Sequence, residues 1–338
     1  MPMTTMRMEG INAPSLGEAR CLSDVLCASA PLTFSEIAPL ASNVRAIEAA
    51  LQFVAGTGVS AAIVGPSGWG KSRILAAAGA VATRLQGMPV PLHSADAPEC
   101  DLARLDETPV LVLDDSQSVL PHPRRRLALR RALESRQRRG RSTLLAFTAS
   151  HGCTLRDLRD LLGSSRGWTI ASIDEPRIVE RRDLLHHLAL REDLRLSETL
   201  VNIIAREMAG NGRTLVGALR RLRLERREWI GSRGTLAALG LLDPFFADST
   251  AWDLRHRIAR TAEQTRCRFP SVAAFDLAAY TMLIEAGLCE RAVADYFGRE
   301  PAVVYSAAAS LRRAMDTNPE VSHLVERFVA SVVDTLSS

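Results

Sequence analysis

The sequence predicts an α/β protein with a parallel sheet, followed by two all-helical segments. Three observations carry this. Strand-length apolar runs alternate with helical patterns from Ser60 to Ile173, a glycine-rich loop stands at the first strand-to-helix junction, and the strand signal stops after Ile173.

The 338 residues exceed one typical domain, and 47% hydrophobic with 24% charged residues excludes the disordered and fibrous classes. Apolar stretches such as Val110 to Leu113 are strand-sized, short of the roughly 18 or more residues of a membrane span. Residues 1–15 contain no apolar segment of the secretory kind, so a cytoplasmic chain without membrane partners is expected. Six cysteines at 21, 27, 100, 153, 267 and 289 form no CxxC pair and read as free thiols. The net charge of +4 is mild, but 124–141 holds nine Arg against the single Glu134.

Residues 1–32 read as a loosely ordered leader with one short helix around Gly17 to Ala28. Val44, Ile47, Leu51 and Val54 recur at helical spacing after Ser42 and Asn43 as candidate caps. Strands are expected at Ser60 to Val64, Val110 to Leu113, Thr143 to Phe147 and Thr169 to Ile173, with helices at Ile74 to Leu85, Leu127 to Arg138 and Leu155 to Leu162. Pro176 to Leu190, Ser197 to Met208 and Thr214 to Trp229 then read as helices. Leu241 to Ser249 looks like a connection, and helices resume at Trp252, Val272, Cys289, Pro301 and Val321. The expected divisions are a core at 33–174, a helical lid at 175–240 and a helical domain at 250–338.

Gly65, Pro66, Ser67, Gly68, Trp69, Gly70, Lys71 and Ser72 match GxxxxGK[ST] where that motif must stand, after a strand and opening a helix. Its backbone N–H groups and helix N-terminus favour phosphate, a lysine at this position reaches the β/γ oxygens, and the hydroxyl ligates Mg²⁺. The chemistry implied for Lys71 and Ser72 is ATP or ADP binding with Mg²⁺. Val110 to Leu113 delivers Asp114 and Asp115 at a strand's carboxyl end, the place for a carboxylate that holds Mg²⁺ through water (Asp114) and one that orients the attacking water (Asp115). By itself, an apolar run ending in two Asp also fits a strand that stops in a solvated turn.

These motifs, with Val110 to Gln117 and the stretch around Thr33-Phe34 and Ser42-Asn43, resemble the AAA+ region of the bacterial replication initiator family DnaA. More specific is Ser164 to Pro176, SSRGWTIASIDEP, which is similar to the family's segment carrying an arginine finger, a strand and the proline that opens the lid. The resemblance implies that Arg166 is a finger reaching the ATP of a neighbouring subunit, with self-association in ATP; a plain surface arginine is the alternative. Asn211 to Leu219 resembles the sensor II box, which assigns Arg213 to the phosphates. Ala292 to Glu300 with Val303 to Ala307 is similar to the family's C-terminal helix-turn-helix. The architecture implied over residues 33–338 is an AAA+ P-loop parallel-sheet core with a helical lid, then an all-α helix-turn-helix domain.

Departures from the family matter too. The interval between the two nucleotide motifs is short, implying that the extra helical insert of initiators is reduced or missing. Ser150 stands near where the family carries a sensor I Asp. The expected recognition helix begins Glu300-Pro301-Ala302-Val303, without base-reading donors, and the preceding basic loop keeps only Arg266 and Arg268 beside neutral Gln264 and Thr265. Arg299, Tyr305, Ser306, Arg312 and Arg313 remain to grip phosphates of double-stranded DNA, which predicts salt-dependent, weakly sequence-specific binding. A protein-interaction module on the same scaffold is the alternative.

The arginines of 124–141 and Arg220, Arg221, Arg223, Arg226 and Arg227 read either as solvated helix faces or as phosphate-contacting surfaces; His186 and His187 read as structural or solvated. The function implied is a nucleotide-switched DNA-associated protein acting in or regulating replication initiation, with slow ATP hydrolysis and a replication protein as a further partner. The short leader favours a relative of the initiator over the initiator itself. Two rivals are a regulatory protein that holds nucleotide structurally against a protein partner, and a helicase-loader or transposition-helper ATPase.

Overall fold

The computed structural model describes residues 33–98, 100–150, 152–163, 166–246, 252–266 and 272–337. The expected leader helix, Cys21, Cys27, Ser164, Ser165, Cys267 and Arg268 lie outside them. The chain divides into two compact units that meet between Glu175 and Pro176.

In the first unit, β1 (Ser60–Gly65), β2 (Leu92–Ser94), β3 (Leu111–Asp114), β4 (Thr143–Thr148) and β5 (Trp168–Ser172) form one parallel sheet ordered β2-β3-β4-β1-β5. α1 (Val44–Ala55), α2 (Lys71–Gln86), α3 (Pro123–Arg138) and α4 (Leu155–Leu162) supply the crossovers and cover. Because successive strand residues face opposite sides, β1 contributes Ala61 and Ile63 to a core with α1 and α2, and Ala62 and Val64 to a second core with α3 and α4. Both faces are therefore dry, which is why these strands read as continuous apolar runs rather than alternating ones.

Three local expectations are corrected. The buried face of α1 is Ala46, Ala49, Ala50 and Phe53, with Ile47, Leu51 and Val54 only partly buried, because small alanines let the helix lie close to the sheet. Asn43 does not cap α1: its side chain accepts from Leu40 N (2.9 Å) and donates to the Ala38 carbonyl (2.9 Å), bracing the incoming loop. The edge strand β2 was not expected, since three residues flanked by turns carry no periodicity. Between α2 and β3 the described residues contain no helix; Leu102 and Leu105 are instead buried from turns.

The second unit is helical apart from a parallel pair of short strands, β6 (Arg195–Leu196) and β7 (Glu228–Trp229). Its helices are α5 (Ile178–Arg191), α6 (Glu198–Glu207), α7 (Gly212–Glu225), α8 (Gly231–Leu242), α9 (Leu254–Arg266), α10 (Ala274–Tyr280), α11 (Glu290–Phe297), α12 (Pro301–Thr317) and α13 (Pro319–Ser337). The helix expected over Thr214 to Trp229 ends at Glu225, because Arg226 turns extended and Trp229 is buried in strand geometry.

α8 and α6 pack on α13, whose Leu324, Val325, Phe328, Val332 and Leu336 are buried. α8 also lies against the turn that follows α10: a Cβ on Gly240 would lie 1.7 Å from the Ala286 carbonyl oxygen, so only glycine fits there. Arg206 donates to the Leu336 (2.9 Å) and Ser337 (3.1 Å) carbonyls, satisfying acceptors that the end of α13 leaves without intrahelical partners. Among the described residues no helix is long and apolar enough to cross a membrane.

Candidate functional site

Gly65 ends β1, and the loop runs to Gly70, whose φ of 96° and ψ of 4° open α2. A side chain there would be strained in that left-handed conformation, which explains a glycine directly before the lysine. Trp69 packs on the core shared by α1 and α2 and so anchors the loop from below. Lys71 is buried, and its Nζ donates to the Gly65 (2.9 Å) and Pro66 (2.7 Å) carbonyls, which fixes the ammonium inside the loop. Ser72, one residue on, is exposed at the first turn of α2.

β4 lies between β1 and β3, so the acidic pair ends two strands from the loop, about 10 Å at ordinary strand spacing. Ile63 pairs with Ala146 and Leu113 with Leu145, which sets Asp114 level with Ile63, two residues before the end of β1. Asp114 is buried at its strand end and its Oδ1 accepts from Asp115 N (2.9 Å), which fixes the carboxylate rotamer. The donor set, one hydroxyl at the start of α2 and one carboxylate at the end of β3, fits Mg²⁺, which keeps several waters and takes few protein ligands. Among the described residues there is no cluster of three or more His, Cys, Asp or Glu that would hold a metal without a phosphate.

Asp115 stands in the left-handed region, φ 51° and ψ 35°. Its Oδ1 accepts from Gln117 Nε2 (3.1 Å), while Gln117 Oε1 accepts from Thr148 N (2.9 Å). Ser116, fully buried, donates from Oγ to the Ala146 carbonyl. Ser150, exposed two residues past β4, forms an isolated backbone bridge with Cys153.

Other expected site residues lie elsewhere. Arg166 is exposed before β5, and its carbonyl accepts from Gln137 Nε2. Trp168 pairs with Ser60, the first residue of β1, so Arg166 lies at the opposite end of the sheet from the phosphate loop, roughly 16 Å away along the strands. Arg213 is exposed in the first turn of α7, in the second unit, where Asn211 Oδ1 caps its backbone N–H (2.9 Å). α11 and α12 are joined through Gly298, Arg299 and Glu300, with Gly298 in the left-handed conformation and Pro301 opening α12. Arg299, Tyr305, Ser306, Arg312 and Arg313 are all exposed, as are Pro301, Ala302 and Val303, whereas Val304, Ala308 and Leu311 are buried.

The arginine-rich helix α3 is not uniform. Arg136 is fully buried, donating to Thr143 Oγ1 (2.9 Å) and to the carbonyls of Leu105 (2.8 Å), Thr108 (2.6 Å) and Ser142 (2.6 Å). It is neither solvated nor on a binding surface. Burial, then the charge of Arg141, pulls its guanidinium down to about 10. A signal existed in the sequence: Arg136 follows Leu129, Ala132 and Leu133 at helical spacing, on the apolar stripe. Arg125 is also structural, donating to the Ala95 carbonyl (2.6 Å). On α7, Arg220 and Arg223 flank Glu192 (3.6 and 2.5 Å), which holds that carboxyl below its ordinary value, first through the Arg223 hydrogen bond.

A β-strand, a glycine-rich loop closing on a buried lysine, and an acidic pair two strands away in a sheet of this order define a P-loop protein with the AAA+ fold. Solved DnaA structures share that fold. Domain III of the replication initiation protein DnaA from Thermotoga maritima matches at TM-score 0.53 and 18% identity, over 65% of this chain and 98% of that one. A replication initiator DnaA bound to AMPPCP and single-stranded DNA matches at 0.52 and 17%, over 92% and 99%. AMPPCP-bound DnaA from Aquifex aeolicus matches at 0.51 and 17%, over 91% and 99%. At such identities the likeness is one of fold, and the chain is a divergent carrier of the DnaA-like AAA+ architecture. No protein-family model and no curated protein sequence matches the chain.

Proposed function

We propose that this chain is a nucleotide-switched, DNA-associated protein that binds ATP or ADP with Mg²⁺, hydrolyses ATP slowly, and acts in or regulates replication initiation. The observation that carries the reading is the pairing of Lys71, fixed by the Gly65 and Pro66 carbonyls, with Asp114 and Asp115 across the width of β4. Lys71 and the loop amides bind the β- and γ-phosphates, Ser72 and water-mediated Asp114 hold Mg²⁺, and Asp115 takes the proton of the attacking water. When bound, the cation neutralises charge on the phosphate oxygens. Ser150 senses the γ-phosphate from just past β4, and Arg213 from a lid at 175–240. Arg166 acts on the nucleotide of a neighbouring copy. The segment 250–338 binds double-stranded DNA through Arg299, Tyr305, Ser306, Arg312 and Arg313. Two of the DnaA structures that share the fold are bound to AMPPCP, one of them with single-stranded DNA, which supports the nucleotide and nucleic-acid parts of the reading.

Calorimetry with Mg·ATP tests the centre of the proposal. The parent protein is expected to bind and Lys71→Ala to show no measurable heat, since the substitution removes the cation buried in the loop. Equal affinity of the two proteins overturns the reading.

A further inference from the structure

We propose that Gln117 is a positioning residue for ATP hydrolysis, holding the Asp115 carboxylate in register with the phosphate-binding lysine; this rests on the nucleotide reading above. Asp115 has left the strand for the left-handed region, so no ladder hydrogen bond orients it. The Gln117 amide does. The Thr148 N–H can only donate, so Oε1 faces it (2.9 Å) and the amide NH₂ is left to reach Asp115 Oδ1 (3.1 Å). Thr148 in turn pairs in register with Gly65, and the Gly65 carbonyl accepts from both Ala149 N (3.1 Å) and Lys71 Nζ (2.9 Å). One hydrogen-bonded path therefore runs from the carboxylate that meets the water to the ammonium that meets the phosphates, crossing the end of β4. The Ser116 hydroxyl, bonded to the Ala146 carbonyl, pins the same turn to β4 one step further in.

In the step this geometry serves, a water oxygen bonds to the γ-phosphorus as the bond from that phosphorus to the β-bridging oxygen breaks. The electron pair stays on ADP, and the water's proton passes to Asp115. The Gln117 contact occupies Oδ1, which directs the other carboxylate oxygen to that proton. A base held this way contributes only while its angle is fixed, and misplacement by about 1 Å can cost on the order of a hundredfold.

The test compares Gln117→Ala and Gln117→Glu with the parent, alone and on an Asp115→Asn background, by Mg·ATP calorimetry and steady-state turnover. Both single variants should keep Mg·ATP affinity and KM within about twofold while kcat falls about tenfold or more. Gln117→Glu keeps the acceptor for Thr148 N–H but loses the donor to Asp115 Oδ1 and sets a second carboxylate there, so its kcat should fall like that of Gln117→Ala rather than be rescued. On the Asp115→Asn background, Gln117→Ala should cost nothing further. Unchanged kcat, loss of ATP affinity together with kcat, or additive losses in the double variant each overturn the inference. ATP binding without turnover by the parent overturns it too, leaving nucleotide binding standing; no ATP binding by the parent overturns the proposed function as well.

Discussion

Arg136 puts a guanidinium where, among the described residues, no carboxylate pairs with it directly, and neutral carbonyls accept its hydrogen bonds instead. Those carbonyls belong to the turn before β3 and the residue before β4, so one side chain ties α3 to the starts of two central strands. Arg136→Met should orphan several buried acceptors and destabilise the first unit by about 3 kcal/mol or more. Arg136→Lys should recover little of this, because a point ammonium cannot span the same fork. Its pH dependence has a definite sign. Burial lowers the folded value to about 10, below the ordinary guanidinium range, so the unfolded chain binds more protons only above about pH 10, and stability from this group rises with pH only there. Denaturant melts should therefore show a parent-to-Met difference that is flat from about pH 6 to 9; a difference under about 1 kcal/mol would count against the structural role.

At the scale of the element, α12 presents two kinds of surface. Its buried stripe of Val304, Ala308 and Leu311 holds it in the bundle, while its exposed first turn offers Pro301, Ala302 and Val303, which carry no side-chain donors for base edges. The charge comes later in the helix, at Arg312 and Arg313, and before it at Arg299. Duplex binding by this helix should therefore be phosphate-driven. The logarithm of affinity should fall linearly with the logarithm of salt, Arg312→Ala should lower that slope by about 1, and scrambling the duplex should change affinity far less. A preference above about a thousandfold for one sequence, measured by fluorescence anisotropy, would refute this account.

For the whole molecule, the ends of the sheet set what each site can reach. The phosphate loop lies at the carboxyl end of β1, whereas Arg166 precedes β5 at the amino end, beyond the reach of an arginine side chain to its own loop. A finger there acts only on a second copy. Arg166→Ala is thus expected to retain Mg·ATP binding and to lose ATP-dependent self-association, read by sedimentation velocity with and without nucleotide. An unchanged assembly profile, or a parent that stays monomeric in ATP at all concentrations, would falsify the finger.

Much of the first unit was legible because its signals are local. Gly65 to Ser72 places a loop between a strand and a helix by residue type alone, and Val110 to Leu113 reads as a buried strand because both its faces are dry. The acidic pair followed at once. The edge strand β2 and the short pair β6–β7 were not legible, since two or three residues carry no period and become strands only by having a partner. The apolar stripe marked Arg136 out among the arginines of α3, but what satisfies its charge was not legible, because the carbonyls near residues 105, 108 and 142 are brought to it by tertiary packing. The link from Gln117 through Thr148 to Gly65 was equally out of reach. The sequence by itself determined which groups are candidates to meet a phosphate, because that chemistry lies in residue type and spacing; only the stacking of β1, β4 and β3 decided what orients them, because hydrogen bonds between strand ends join residues far apart in the chain.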